Sequence, residues 1–196
     1  MEQKQMAFDG RSITYFEANT GNAKKILLMH GYSFNSQVWN RFGFIDFLNR
    51  LGYASFALDM PGFPNSINKG EMPESSMLSL VGAVIQTVIK DKPVLLGASA
   101  SGYFVLKFAE ENSKDICAVI AVGPVNLDSI RLDKIKVPIL GIWGSNDSVA
   151  DPEGGIEKLR QIGAKTVLLE GARHACYLDK PEDFKKEIAD FVKSLK

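Results

Sequence analysis

Ser99 is the residue whose surroundings in this sequence best suit a nucleophile. It lies in the segment G-A-S-A-S-G, residues 97–102, between an apolar run that ends at Leu96 and a helical pattern that begins at Gly102. A serine on a sharp strand-to-helix turn exposes its hydroxyl, strains its own backbone and needs small neighbours, because strand and helix pass close together. The segment therefore predicts a nucleophile elbow with Ser99 at its tip, suited to attack on a carbonyl carbon.

Position 101 departs from the common elbow pattern G-x-S-x-G, because serine stands there instead of glycine. Ser101 is the weaker candidate nucleophile, since its neighbours at positions 99 and 103 are serine and tyrosine rather than glycine. We expect its hydroxyl to hydrogen-bond within the elbow or to face the pocket, and Ser101→Gly to leave a folded, active protein. The alternative interpretation of the stretch is an ordinary small-residue turn with two capping serines.

A serine nucleophile needs a base, and His174 is the candidate. The sequence has two histidines, and only His174 follows Ser99, as the chain order serine, acid, histidine requires. A lone loop histidine is otherwise simply exposed to solvent. His30, in H-G-Y directly after an apolar run, is expected to hold its loop by hydrogen bonds, with a role as second base as the weaker alternative.

The base in turn needs an orienting carboxylate, and Asp147 is the candidate. It follows an apolar run in W-G-S-N-D, between Ser99 and His174 in the chain. Asp151 in the same loop and Asp128 after the preceding run are alternatives. The non-catalytic interpretation of Asp147 is a turn aspartate that hydrogen-bonds its own backbone.

Attack on a carbonyl builds an oxyanion that backbone N–H groups must stabilise. The N–H of Ala100, next to the nucleophile, is one expected donor. The N–H of Tyr32, in the loop after His30, is the other, and Gly31 is expected to let that loop come close. The residues expected to line a shallow substrate pocket are Gly31, Phe34, Tyr103, Val125 and Cys176.

The elements that must position these residues alternate along the chain between short apolar runs and helical patterns. This alternation predicts an α/β fold with a mostly parallel sheet covered by helices on both faces, and Asp9-Gly10 predicts an N-terminal hairpin. Because each chemical residue follows a predicted strand, these residues should meet at the carboxyl edge of the sheet. The later predicted strands are 26–29, 54–58, 94–96, 116–122, 137–143 and 166–169, and the predicted helices are 36–50, 74–90, 102–111, 152–162 and 181–195.

Composition narrows the class of protein. The 196 residues suit a single domain, 1–196, and 23 basic residues balance 23 acidic ones, which argues against nucleic acid or an anionic membrane as partner. No apolar run is long enough to span a bilayer, and the first ten residues lack the apolar core of a signal peptide. The two cysteines, Cys117 and Cys176, have neither the number of a disulfide framework nor the spacing of metal ligands. We therefore expect no metal and a cytoplasmic location. Cys117, within an apolar run, is expected in the core.

Together the stretches L-M-H-G-Y, L-D-M-P-G-F, G-A-S-A-S-G, W-G-S-N-D and G-A-R-H, which span about residues 24–180, resemble the α/β-hydrolase fold superfamily. The serine at position 101 and C-Y-L-D-K-P-E-D after His174 are similar to its small lidless branch, alpha/beta hydrolase domain-containing protein 14. The resemblance implies a Ser-Asp-His hydrolase without a cofactor. Only 14 residues separate Val122 from Val137, which is too short for a lid domain.

The sequence thus favours a serine esterase that cleaves small acyl esters or amides through an acyl-enzyme on Ser99. An acyltransferase or thioesterase, in which an amine or a thiol takes the acyl group, is an alternative with the same nucleophile. The other alternative is a non-catalytic ligand-binding or protein-interaction module on the same fold. The missing lid leaves only local side chains as pocket walls, so we expect the shortest acyl groups to be preferred.

Overall fold

The computed structural model describes residues 1–195. Its strands are β1 (Glu2–Phe8), β2 (Arg11–Ala18), β3 (Lys24–Met29), β4 (Tyr53–Leu58), β5 (Val94–Ala98), β6 (Ala118–Val122), β7 (Ile139–Gly144) and β8 (Lys165–Leu169). Its α-helices are α1 (Phe44–Arg50), α2 (Glu74–Ala83), α3 (Ala100–Asn112), α4 (Pro152–Gln161), α5 (Cys176–Asp179) and α6 (Pro181–Ser194). The strands form one sheet in the order β1-β2-β4-β3-β5-β6-β7-β8.

The sheet is antiparallel at one edge and parallel elsewhere. β1 and β2 form a hairpin whose turn residues Asp9 and Gly10 have φ of 49° and 70°, and β2 pairs antiparallel with β4. Two successive positive φ angles are typical of the type I′ turn that matches the twist of a hairpin. All pairs from β4 to β8 are parallel, which confirms the predicted hairpin and mostly parallel sheet.

Helices cover both faces of this sheet. Along β3, Leu27 and Met29 belong to the core on the face covered by α2, α3 and α4, while Ile26 and Leu28 belong to the core on the face covered by α1 and α6. Because successive side chains of a strand point to opposite faces, a strand buried on both faces reads as a continuous apolar run. This is why the central strands could be recognised from the sequence.

Two of the predicted helices are interrupted. Residues 36–40 form a 3₁₀ turn capped by Asn35, not by Ser36, and Gly43 with φ 67° separates it from α1. A left-handed glycine ends helical hydrogen bonding. The predicted helix 74–90 is α only to Ala83 and continues as a π-helix at Val84–Ile89.

The connection between β6 and β7 holds no lid. Its regular structure consists of two single 3₁₀ turns, Leu127–Ser129 and Leu132–Lys134. The expected absence of a lid domain is therefore confirmed for the described part of the chain. No helix within residues 1–195 is both long and apolar enough to cross a bilayer.

The prediction for Cys117 is wrong. β6 begins one residue later, at Ala118, and the Cys117 side chain is exposed, with its sulfur 3.0 Å from the carbonyl oxygen of Lys92. Partial burial and nearby Asp91 raise the pKa of this thiol. The apolar run at this point includes two residues that precede the strand, Ile116 and Cys117, and the length of the run alone cannot locate the start of the strand.

Candidate active site

Ser99 joins β5 to α3 in a strained conformation, with φ 55° and ψ −118°. Its N–H donates to the carbonyl of Val122 at 2.7 Å, which anchors the turn to β6. A side chain at Gly97 is excluded, because a Cβ atom there would lie 2.1 Å from the carbonyl oxygen of Ser101. The local sequence therefore builds the sharp strand–turn–helix geometry that presents a serine hydroxyl above the sheet.

A series of hydrogen bonds joins Ser99, His174 and Asp147. The Ser99 Oγ lies 2.8 Å from His174 Nε2, and His174 Nδ1 lies 2.8 Å from Asp147 Oδ2. Because a carboxylate only accepts, Nδ1 carries the proton and Nε2 is left to accept from the serine hydroxyl. This arrangement can deprotonate Ser99 as it attacks a carbonyl.

The Asp147 carboxylate is held by its own loop. Its side chain is fully buried, and Oδ1 accepts from the N–H groups of Val149 and Ala150 at 2.8 and 3.0 Å. These bonds leave Oδ2 free to face the imidazole. The structure therefore brings Asp147 to His174 from the loop after β7.

The other two candidate acids have structural partners instead. Asp151 caps α4, because its Oδ1 accepts from the N–H of Gly154 at 3.1 Å. Asp128 is exposed and pairs with Lys158, Nζ to Oδ1, at 2.6 Å. Within the described residues, Asp147 is the carboxylate that hydrogen-bonds His174.

Gly123, directly after β6, is a site residue that the sequence analysis missed. Its φ is 50°, and a Cβ atom there would lie 3.1 Å from His174 Cε1 and Nδ1 and 3.2 Å from Asp147 Oδ2. The backbone conformation therefore favours glycine, and a Cβ atom there would crowd the imidazole. The signal in the sequence was a glycine directly after a predicted strand.

The loop that carries His174 is fastened by an ion pair. The Arg173 guanidinium donates to both carboxylate oxygens of Asp179 at 3.1 and 2.8 Å, and the Arg173 N–H donates to the same group at 2.8 Å. The hydrogen bonds from Arg173 lower the pKa of Asp179. They tie the His174 loop to the end of α5, a helix that the sequence analysis did not predict.

The loop after β3 passes over the elbow. The Gly31 carbonyl accepts from the Phe34 N–H at 3.0 Å, and within residues 1–195 the N–H groups of Tyr32 and Ala100 have no protein acceptor. A Cβ atom at Gly31 would lie 3.6 Å from Ser99 Cβ, which is an ordinary contact. The close approach therefore does not require glycine here, contrary to the reason expected from the sequence, although a methyl group would take space from the cleft.

His30 is completely buried and engages both ring nitrogens. Its Nε2 accepts from the N–H of Met60 at 2.9 Å, so Nδ1 carries the proton and donates to the carbonyl of Gly31 at 2.9 Å. This geometry leaves no nitrogen for a substrate. It supports the loop-holding interpretation of His30 over that of a second base.

Asp59, next to His30, is the buried acid of this loop region. It accepts from the hydroxyls of Ser36 and Ser66 and from the N–H of Ile67, the last at 2.9 Å. Burial alone would raise the pKa of Asp59, but hydrogen bonds from the hydroxyls of Ser36 and Ser66 hold it well below its ordinary value. Asp59 is therefore an ionised structural group behind the cleft.

A cleft of about 210 Å³ opens beside the Ser99 hydroxyl. Of the residues expected to line it, Gly31 and Phe34 do so. The complete lining is Gly31, Tyr32, Ser33, Phe34, Ala98, Ser99, Val149, His174, Ala175 and Tyr177. Sequence reasoning missed Ser33, Ala98, Val149, Ala175 and Tyr177, although Ala175 directly follows His174 in the chain.

The other three expected lining residues lie elsewhere. Cys176 is completely buried under the His174 loop, where burial and nearby Asp147 raise the pKa of its thiol to about 12. Tyr103 lines a separate groove beside Glu74, and Val125 lines a groove beside Asp128. These three predictions are wrong because position along a strand or helix end does not tell which way a side chain points.

The described residues contain no group of three or more histidine, cysteine, aspartate or glutamate side chains placed to hold a metal ion. The site consists of the Ser99 hydroxyl, the His174 imidazole, the buried Asp147 carboxylate and the unpaired N–H groups of Tyr32 and Ala100, around an apolar cleft. These are the groups that acyl transfer uses.

Comparison with known proteins identifies the class. Residues 24–134, more than half of the chain, match the family model described as alpha/beta hydrolase fold. The chain belongs to this family, and its curated relatives place it in the ABHD14 branch. The family and these relatives support a hydrolase activity.

Two relatives show the extent of the similarity. The human protein named "Putative protein-lysine deacylase ABHD14B" is 29% identical over 210 residues, which cover 100% of this chain and 98% of the relative. Protein ABHD14A of Danio rerio is 31% identical over 175 residues, which cover 87% of this chain. The match spans only 65% of that longer relative.

Solved structures share the fold. A predicted CIB-like hydrolase from Thermoplasma acidophilum has a TM-score of 0.91 and 26% identity, and the match covers 99% of this chain and 98% of that one. Est1E from Butyrivibrio proteoclasticus has a TM-score of 0.83 at 18% identity, with 100% and 99% coverage, which shows the fold alone. The predicted fold class and branch are therefore confirmed.

Proposed function

We propose that the chain is a serine hydrolase that cleaves small acyl esters or amides through an acyl-enzyme on Ser99. The observation that carries this proposal is the series of two 2.8 Å contacts from Asp147 through His174 to Ser99. His174 accepts the hydroxyl proton as Ser99 attacks. Asp147 keeps the imidazole in the correct tautomer and stabilises the imidazolium that forms.

The reaction proceeds in two half-reactions. The Ser99 oxygen adds to the carbonyl carbon, and the resulting oxyanion accepts from the N–H groups of Ala100 and Tyr32. His174 then passes its proton to the departing alcohol or amine, which leaves the acyl group on Ser99. A water molecule, deprotonated by His174, adds to this ester, and Ser99 leaves with the proton returned.

The cleft supports a small acyl group. Its 210 Å³ is less than the 300–1,000 Å³ of common ligand pockets. Its walls are mainly apolar, with Phe34, Val149 and Tyr177 among them. A short, uncharged acyl chain fits these walls, while the remainder of the substrate stays outside.

The name of the human relative suggests a substrate class, an acyl group on a protein lysine. An acyl-lysine places a short acyl amide on a long flexible stem, so it can enter an open cleft while its polypeptide stays outside. We therefore propose acylated lysine as one amide substrate of this site. Because both cysteines are free, we expect the chain to work in a reducing compartment such as the cytoplasm. We also propose that it works as a single domain.

Labelling with a fluorophosphonate tests the nucleophile. The probe should modify Ser99 in the folded protein and no serine after unfolding, and peptide mapping identifies the site. Ser99→Ala should lose the label and reduce hydrolysis of p-nitrophenyl acetate to the residual rate that binding and the oxyanion hole supply. A label on Ser101 together with an active Ser99→Ala variant would reject the assignment.

A further inference from the structure

The hydroxyl of Ser101 makes a buried hydrogen bond that neither the elbow nor helix capping explains. Ser101 is completely buried, and its Oγ donates to the carbonyl oxygen of His30 at 2.6 Å, across 71 positions of the chain. The hydroxyl therefore neither stays within the elbow nor faces the cleft. It joins the first turn of α3 to the loop after β3.

This bond holds the first of two consecutive peptide groups in that loop. The carbonyl of His30 belongs to the peptide group between His30 and Gly31, and it is held by Ser101. The carbonyl of Gly31 belongs to the next peptide group and accepts from His30 Nδ1 and the Phe34 N–H, at 2.9 and 3.0 Å. The orientation of both peptide groups is thus set by donors within the protein.

The second peptide group carries the N–H of Tyr32. The described residues contain no cis peptide bond, so this N–H points opposite to the Gly31 carbonyl. Holding that carbonyl on the His30 side therefore aims the Tyr32 N–H away from His30. A Cβ at Gly31 would lie 3.6 Å from Ser99 Cβ, so the Gly31–Tyr32 peptide group lies close to the reacting serine.

The other expected oxyanion donor is the N–H of Ala100, which directly precedes Ser101 in α3. The Ser101 side chain therefore links α3, whose first residue carries the Ala100 N–H, to the loop that carries the Tyr32 N–H. The common elbow has glycine at this position and has no side chain to make such a link. Preorganised donors need no rearrangement during the reaction, and displacement of one of them slows catalysis.

We propose that Ser101 is a positioning residue that sets the separation of the Ala100 and Tyr32 N–H groups and thereby the strength of the oxyanion hole. This inference rests on the proposed function. It concerns the reaction rate and not the binding of the uncharged substrate. Loss of the hydroxyl therefore lowers kcat and leaves KM nearly unchanged.

The test compares Ser101→Ala and Ser101→Gly with wild type on p-nitrophenyl acetate. We expect kcat to fall about tenfold or more in both variants, KM to change less than about twofold, and the pH profile to keep its shape. The affinity for trifluoroacetone, which adds to a serine as a charged hemiketal, should fall by a factor similar to that of kcat. Ser101→Gly is the second variant because glycine is the common residue at this position of the elbow, so this variant should fold.

Ser113→Ala is the matched control, since Ser113 at the far end of α3 also donates to a carbonyl, that of Ala109, at 2.7 Å. It should lose some stability and keep the wild-type kcat. If the wild type is active and both Ser101 variants keep its kcat, this inference is overturned and the proposed function stays intact. A wild type without Ser99-dependent hydrolysis would overturn both.

Discussion

Two backbone positions with positive φ place the groups of the candidate site. Ser99, with φ 55°, lifts its hydroxyl from the end of β5, and Gly123, with φ 50°, leaves room for the His174 imidazole. For a residue with a side chain such a φ is costly and persists only where the surrounding structure enforces it. Here the N–H bonds of both residues to neighbouring strands do so, at 2.7 and 2.8 Å.

Gly123→Ala tests the space that the imidazole needs. The new methyl group would lie 3.1 Å from two His174 ring atoms, so the ring must shift by a few tenths of an ångström. A shift of about 1 Å in a catalytic group costs on the order of 100-fold in rate, so this smaller shift should lower kcat by about two- to tenfold. Steady-state hydrolysis of p-nitrophenyl acetate measures it.

Gly163→Ala is the control for backbone strain. Gly163 has φ 78°, and a Cβ atom there would meet no other atom within 4 Å. Both variants should lose about 1 kcal/mol of stability from the left-handed conformation, while only Gly123→Ala loses activity. Equal losses of kcat in the two variants would contradict the proposed crowding of His174.

At the scale of elements, no lid covers the cleft, and three chain segments besides the elbow line it. The loop after β3 supplies Phe34, the loop after β7 supplies Val149, and the segment around α5 supplies Tyr177. Tyr177 packs against Phe34 and Trp39, with ring centroids 6.3 and 5.3 Å apart. The floor of the cleft is therefore a fixed aromatic cluster, while Val149 at the rim is 63% exposed.

This architecture predicts the acyl-chain preference. Each buried methylene contributes about 0.8 kcal/mol, but only while wall remains to bury it. For a series of p-nitrophenyl esters, kcat/KM should be highest at about two to four acyl carbons and should fall for longer chains. A maximum at eight or more carbons would mean that a deep apolar tunnel exists and would reject the shallow cleft.

At the scale of the whole molecule, two buried carboxylates outside the reaction tie distant segments together. Asp59 joins the loops after β3 and β4 through Ser36 and Ser66. Glu110 joins α3 to the β6–β7 connection, because its carboxylate accepts from Lys107 and from the Arg131 side chain, the latter at 2.5 Å. Such groups stabilise the fold only while they are ionised.

Glu110 gives the chain an acid-sensitive stability. Burial alone would raise its pKa, but hydrogen bonds from Lys107 and Arg131 lower it to about 2 from an ordinary value of 4.5. With the folded pKa lowered, the stabilisation is complete above about pH 5 and is lost as the pH falls towards 2. Asp59, whose pKa is also lowered, should add to the same loss.

Glu110→Gln tests this linkage by urea unfolding between pH 3 and pH 7. The variant should lose about 1–3 kcal/mol of unfolding free energy at pH 7 and show a weaker decline towards pH 3 than wild type. Glu111→Gln, next in the helix with a side chain 71% exposed, should keep the wild-type pH dependence. An equal decline in wild type and Glu110→Gln would show that this carboxylate is not the acid-sensitive group.

The sequence by itself determined the order of the strands and of the longer helices, and it supplied the chemical candidates. Continuous apolar runs mark strands buried on both faces, and residues such as Ser99 and Asp147 follow those runs directly. Parallel strands bring their carboxyl ends to one edge of the sheet. Their meeting there could therefore be predicted without coordinates, while their catalytic roles stay proposals.

Only the tertiary structure decided which side chains face the cleft and which groups hold them. Tyr177 lines the cleft and Cys176 lies behind it, although they are neighbours in the chain. The bond from Ser101 to His30 spans 71 positions. Side-chain direction and contacts of this length depend on how helices and loops pack on the sheet, and local periodicity carries no information about that packing.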